Sequence, residues 1–227
     1  EMLVHETAVH EVLDRRAMGH ALAKAHYIVM NTPESAARVR STFPYLDRVP
    51  VTSILNGYDA DDFRTPAPVR DDGRFRIVHT GSLHTSLGNS ERSGLRRLLG
   101  GEKDVHVPSR SLVYLTRALE ELLRERPELA DRIELHLAGR LTDADRAVFA
   151  NLPFVHEHGF LSHGETIDLV RSADLLFLPM HDVPPGRRVA IVPCKAYEYL
   201  ASRRPILAAV PDGDARDFLE ASGTARV

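Results

Sequence analysis

Apolar positions follow two rhythms along the chain, and the rhythms alternate. Over residues 3–24 they fall at Val9, Val12, Leu13, Ala17 and Ala21, spacings near three and four that predict a helix. The continuous apolar run Tyr27-Ile28-Val29-Met30 predicts a buried strand. Thr32-Pro33 then opens a helix reaching about residue 42, with Thr32 as N-cap and Pro33 in the first turn. A second β-branched run, 51–54, stops at the turn pair Asn56-Gly57. From residue 58 to 73 the period disappears among Asp, Pro and Arg, which marks a linker and a domain boundary. Beyond it strands are predicted at 75–78, 133–137, 154–155, 174–178 and 205–209. Helices are predicted at 112–124, 142–151, 163–172, 195–202 and 214–221. Residues 84–109 carry no clean period and read as an insertion.

Strands alternating with helices imply βαβ units and a parallel sheet with right-handed crossovers. In such sheets ligands bind beyond the carboxyl ends of the strands. The segments to interrogate are therefore 79–84, 139–142, 158–161 and 179–193, with the helix that follows.

Composition narrows the class. With 29 Lys+Arg against 32 Asp+Glu the net charge is −3, without the basic excess of a dedicated nucleic-acid binder. The one cysteine, Cys194, excludes an internal disulfide and a Cys-rich metal site. No apolar run approaches the roughly 20 residues that span a bilayer, and no secretory signal opens the sequence, so the expected setting is cytoplasmic. The sequence opens Glu-Met-Leu-Val and stops shortly after a helical pattern, which suggests a fragment.

Two places carry candidate chemistry. His79-Thr80-Gly81-Ser82 follows a strand, where glycine lets a ligand approach the backbone. Lys195 lies in the first turn of a helix, where the dipole prefers anions, and Glu198 follows one turn on. A carboxylate accepts two hydrogen bonds and matches a ribose diol; a surface Lys and Glu explain the spacing as well.

The segment KAYEYLASRRPILA (195–208) resembles the K-x-Y-E-Y-L-A-x-G-x-P-I-L-A signature of GT-B glycosyltransferases related to family 4. FRIVHTGSL (75–83), RSLVYLTRALEEL (110–122), IELHLAG (133–139) and FVHEHGFLSHGETIDLVRSADLLFLP (154–179) support it in the same order. AHYIVMNTPES (25–35) and ILNGYDADDF (54–63) resemble the end of the N-terminal domain and the interdomain crossover. The resemblance implies an α/β fold: a GT-B-type Rossmann-like domain with a parallel sheet over 67–227, truncated at its C-terminus, plus a partial second Rossmann-like domain over 1–66. It implies a glycosyltransferase that moves sugar from a nucleotide-sugar donor to a glycan, lipid-linked or small-molecule acceptor, with retention, without metal and without a cofactor. In that family pattern Glu198 binds the donor ribose and Gly81 and Ser82 approach the diphosphate. Arg110 and Lys195 supply charge there, and Phe160 and Leu161 lie against the nucleobase. No catalytic residue of the N-terminal domain is named by it.

Several residues depart from the pattern. Relatives often carry a second glutamate eight positions before the ribose-binding one; Ala190 stands there, and the charge or N–H groups of Gly186-Arg187-Arg188 are a substitute. Arg203 occupies a glycine position at a left-handed helix end, at a cost of about 1 kcal/mol. Arg92-Ser93 echoes Arg110-Ser111, and Arg110 is preferred because the Leu-rich helix follows it directly. Arg92, Arg96, Arg97 and Lys103 make the insertion a candidate for contact with an anionic membrane surface. His156 and His158, two apart on a short strand, are expected on opposite faces and, without further ligands, form no metal site. Cys194 is expected to be a small packed thiol, and Asp59, Asp61 and Asp62 to be linker charge. Two alternatives remain open: a non-catalytic nucleotide-sugar-binding module, favoured by Ala190, and a GT-B-like nucleotide-sugar epimerase.

Overall fold

The structure is a computed structural model and describes residues 8–85 and 109–227. Most of the insertion, with Arg92, Arg96, Arg97 and Lys103, lies outside the described residues.

The first part of the chain is a parallel pair of strands, β1 (Ile28–Met30) and β2 (Val51–Ser53), with helices α1 (Ala8–Leu22) and α2 (Pro33–Thr42). Thr32 caps α2 as expected: its hydroxyl accepts the Ser35 N–H, and Pro33 takes the first position. Ile28, Val39, Phe43 and Leu46 form a small core. The expectation of a buried β1 fails at Val29, which is 53% exposed: among the described residues the strand pairs only with β2. Val9, Val12 and Leu13 of α1 are also exposed.

The larger part is a six-stranded sheet: β3 (Phe75–Thr80), β4 (Ile133–Ala138), β5 (Val155–Gly159), β6 (Leu175–Pro179), β7 (Ile206–Ala209) and β8 (Ala225–Arg226). Every pairing is parallel and the order is β5-β4-β3-β6-β7-β8. Between the strands run α3 (Val113–Glu125), α4 (Asp143–Phe149), α5 (His163–Arg171), α6 (Cys194–Ala201) and α7 (Asp214–Ser222). Both faces are covered. Ile77, Leu135, Leu137 and Phe177 pack on Leu115 and Leu119 of α3. Val78, Leu176 and Leu178 pack on Val170, Ala196, Tyr199 and Leu219. This is why the inner strands read as continuous apolar runs. The chain winds outward from β3 in one direction and from β6 in the other, so the topological switch lies between them.

The two parts touch at the start of α2. The Thr32 and Ser35 hydroxyls donate to the Ala190 carbonyl at 3.2 and 3.0 Å, and the Asp214 carboxylate accepts the Glu34 N–H. Arg188 pairs with Glu34, Asp212 and Asp217 across the same seam. Its guanidinium charge is thus engaged by three carboxylates at this seam.

Two other sequence readings are corrected. His156 and His158 share one face of β5, both rings lying against His136 of β4 with centroids 4.8 and 5.0 Å apart. A strand alternates with period two, so positions two apart point the same way. Cys194 is exposed and not packed; Asn56 Nδ2 lies 3.7 Å from its Sγ. Arg203 does adopt the left-handed conformation, with φ 57°.

Candidate active site

β3 and β6 are paired only at Ile77↔Leu175 and Val78↔Leu176. Beyond that point side chains serve the backbone groups the ladder abandons. The His79 ring meets the Phe177 carbonyl at 3.0 Å through Nδ1. The Tyr199 hydroxyl of α6 accepts the Thr80 N–H at 2.9 Å and lies 3.2 Å from Thr80 Oγ1. Both rings are fully buried. Burial, helped by the Lys195 charge, pulls His79 down to about 3, so its ring is neutral at pH 7.

Past Thr80 the chain turns at Gly81, whose φ is +100° and whose N–H donates to the Ala138 carbonyl at 2.7 Å. A Cβ there would fall 2.6 Å from Lys195 Nζ. Gly139, with φ +138°, faces the Gly81 carbonyl oxygen so closely that a Cβ would approach it to 2.7 Å. Both positions favour glycine by conformation, and Gly139 also by space, since the atoms a Cβ would meet there are backbone. The Lys195 ammonium donates to the Thr80 carbonyl, which seats it against the Gly81 turn.

Arg110, half-buried just before α3, comes near the same spot, and its carbonyl accepts the His84 N–H at 3.0 Å. Burial lowers its pKa. Burial also brings Lys195 down to about 8; Arg110 pushes the same way and Glu198 pulls back. Lys195 and Arg110 are thus both partly desolvated, and the charge of one is felt by the other near the C-terminal end of β3. A contact between His84 Nδ1 and His181 Nε2, at 2.8 Å, bridges the loops after β3 and β6.

The first turn of α6 adds to this positive site. Its N-cap, Pro193, makes no side-chain capping bond, so the first N–H groups are not closed off by a cap. Glu198, one turn on, is half-buried, and burial raises its carboxyl pKa. His163, Asp62 and Lys195 are its charged neighbours. His163, at the start of α5, contacts Asp62 at 2.7 Å, which raises the imidazole pKa. Asp62 is thus more than linker charge.

The structure sets Lys195 against Gly81, and the charges of Arg110 and Glu198 are felt at Lys195. Ser82 is exposed on the same loop. Phe160, after β5, is 78% exposed, with the Arg140 guanidinium 5.6 Å from its ring centre. Leu161 instead packs on the core, so of that pair Phe160 alone presents an open face. Ala190 is buried and offers no carboxylate. Sequence reasoning did not assign His84, His181, Tyr199, Asp62 or Arg140. All but Tyr199 and Asp62 sit in the interrogated loops, yet nothing in a linear sequence pairs residue 84 with 181. Two hollows of about 320 Å³ each, one lined by Leu175, Ile206 and Ala225 and the other by Arg70, Asp174 and Arg204, lie at the opposite end of the sheet.

No family model matches the chain, and no curated protein matches it in sequence. Solved structures do. A UDP-forming α,α-trehalose-phosphate synthase from Burkholderia xenovorans superposes with a TM-score of 0.52 at 17% identity, covering 88% of this chain and 49% of that one. The α,α-trehalose 6-phosphate synthase of Burkholderia multivorans gives 0.55 at 13%, covering 89% and 49%. The Escherichia coli enzyme bound with UDP-2-fluoro glucose gives 0.52 at 12%, covering 85% and 48%. The chain spans about half the length of these structures. The likeness establishes the fold: a GT-B-type Rossmann-like α/β architecture. No described helix is long and apolar enough to cross a membrane.

Proposed function

We propose that this chain is the donor-binding part of a glycosyltransferase, with residues 67–227 as the nucleotide-sugar domain and 1–66 as the end of an acceptor-side domain. The observation that carries the reading is the seating of Lys195 against the Gly81 turn at the switch point, with the Arg110 charge felt there. The diphosphate of a nucleotide sugar matches these cations in charge, and the α6 N-terminus favours it further. Glu198 accepts the two ribose hydroxyls, and Phe160 stacks on the base. As the bond between sugar C1 and the diphosphate oxygen breaks, charge grows on that oxygen, where Lys195 and Arg110 hold it more strongly than in the ground state. The acceptor oxygen bonds to C1 on the face the diphosphate leaves, which gives retention, and its proton passes to the departing phosphate. Two fixed cations carry the leaving-group charge, so no metal is needed for this step.

Some of the similar synthases are described as UDP-forming, one of them in complex with glucose-6-phosphate, and the Escherichia coli structure is bound with UDP-2-fluoro glucose, which favours a UDP-sugar donor and a sugar acceptor. Other glycans, a lipid-linked acceptor and a small molecule fit the same donor chemistry. A second reading, a binding module without turnover, is favoured by Ala190. Donor binding with hydrolysis or transfer of its sugar supports the enzyme; binding without either, across acceptors, supports the module. Arg110→Ala is expected to weaken a nucleoside diphosphate more than the nucleoside, and equal losses would remove Arg110 from the diphosphate site.

A further inference from the structure

A second cluster of ionisable groups stands apart from the switch point, on β4 and the sheet-edge strand β5. Glu134 and His136 of β4 and His156 and His158 of β5 project from one face, where the register sets His136 opposite His156. His136 Nε2 lies 3.1 Å from Glu134 Oε2, and His156 Nε2 lies 3.7 Å from Glu134 Oε1. The three ligand atoms are all within 4.8 Å of one another. A tetrahedral ion with bonds of 2.0–2.1 Å to nitrogen and oxygen sets its ligands about 3.3 Å apart. Each imidazole nitrogen already lies near that distance from one Glu134 oxygen, His136 from Oε2 and His156 from Oε1.

The remaining nitrogen of the central ring is also engaged. His136 Nδ1 meets His158 Nε2 at 2.8 Å. Ligating histidines commonly donate their other ring N–H to a fixed acceptor, which sets the tautomer and orients the ring. Glu134 and His136 are buried, while the His156 side chain is 42% exposed at the sheet edge, so an ion can enter from solvent. Arg74 and Arg76 neutralise Glu134 when no ion is present. The Arg74 contact, 2.8 Å to Oε1, comes from a side chain 48% exposed, and Arg76 lies 3.7 Å from Oε2.

We propose that Glu134, His136 and His156 form a binding site for one divalent transition ion of the zinc class, with His158 as the positioning partner of His136 and a fourth position open to water. Two imidazoles and one carboxylate suit zinc, cobalt or nickel better than calcium or magnesium. The ion ties the edge strand β5 to β4. This inference does not depend on the donor-site reading, since it uses none of its residues.

The test uses the whole chain, treated with a chelator and then titrated with zinc by calorimetry and with cobalt by visible absorption. One ion per chain is expected, with a cobalt spectrum lacking thiolate charge transfer and a rise in Tm on zinc addition. His156→Ala, at a half-exposed position that leaves the fold intact by circular dichroism, is expected to weaken zinc about 100-fold or more and abolish the Tm rise; His158→Gln is expected to weaken it about 10- to 100-fold. His26→Ala, at an exposed residue elsewhere, serves as control and leaves affinity unchanged. The proposal is overturned if no stoichiometric binding is seen, if a thiolate band places the ion at Cys194, or if His156→Ala binds zinc as the unaltered chain does.

Discussion

Tyr199→Phe removes one oxygen from the centre of the fold and leaves the ring in place. That oxygen accepts the Thr80 N–H at 2.9 Å and stands 3.2 Å from the Thr80 hydroxyl, with the side chain fully buried. β3 has already parted from β6 at this level, so no strand carbonyl replaces the lost acceptor. A buried donor left without a partner costs about 1–3 kcal/mol. For a chain of this length each kcal/mol lowers Tm by about 2–4 °C, so a drop of roughly 2–12 °C is expected. Urea unfolding should show a lower midpoint at unchanged slope, since the surface exposed on unfolding is the same. A loss below about 0.5 kcal/mol would refute the reasoning: Thr80 N–H would then have another partner, and α6 would not be fastened to the Gly81 turn in this way.

Arg203→Gly is expected to stabilise the chain by about 1 kcal/mol, because arginine there holds a φ of 57° that costs glycine nothing; an unchanged or lower urea midpoint would contradict that. His79 should make stability fall in acid. Its ring takes a proton near pH 6.5 when unfolded but only near 3 when folded, so the unfolded state binds more protons between those values and stability declines as pH drops through that window. His79→Gln should flatten this part of the pH profile of Tm, and a profile of unchanged slope would exclude His79 as its source.

The elements that sequence reveals here are those decided locally. Thr32, Thr142 and Ser162 each cap a helix with their own side chains, and the apolar runs ending at Gly81 and Gly139 became strands. Strand β8, two residues long and held by pairing to β7, has no local signal. The site was legible only in part for the same reason. Gly81, Lys195 and Glu198 announce themselves by position after a strand or early in a helix. The His84–His181 contact and the packing of His136 against His156 depend on which strands become neighbours, over 97 and 20 residues of separation. Arg188 looked available for a ligand because its three carboxylate partners come from α2, α7 and the loop before α7.

The central claim is that a nucleotide diphosphate binds at the parting of β3 and β6, against the ammonium of Lys195. Titration calorimetry of a uridine diphosphate into the unaltered chain and into Lys195→Met, at pH 7 and pH 9, tests it most directly. Lys195 titrates at about 8 without ligand, so the unaltered chain should bind more tightly at pH 7, where the ammonium is charged, than at pH 9. Lys195→Met should bind weakly at both. Equal affinity of the two proteins at pH 7, or no binding by either, would contradict the account.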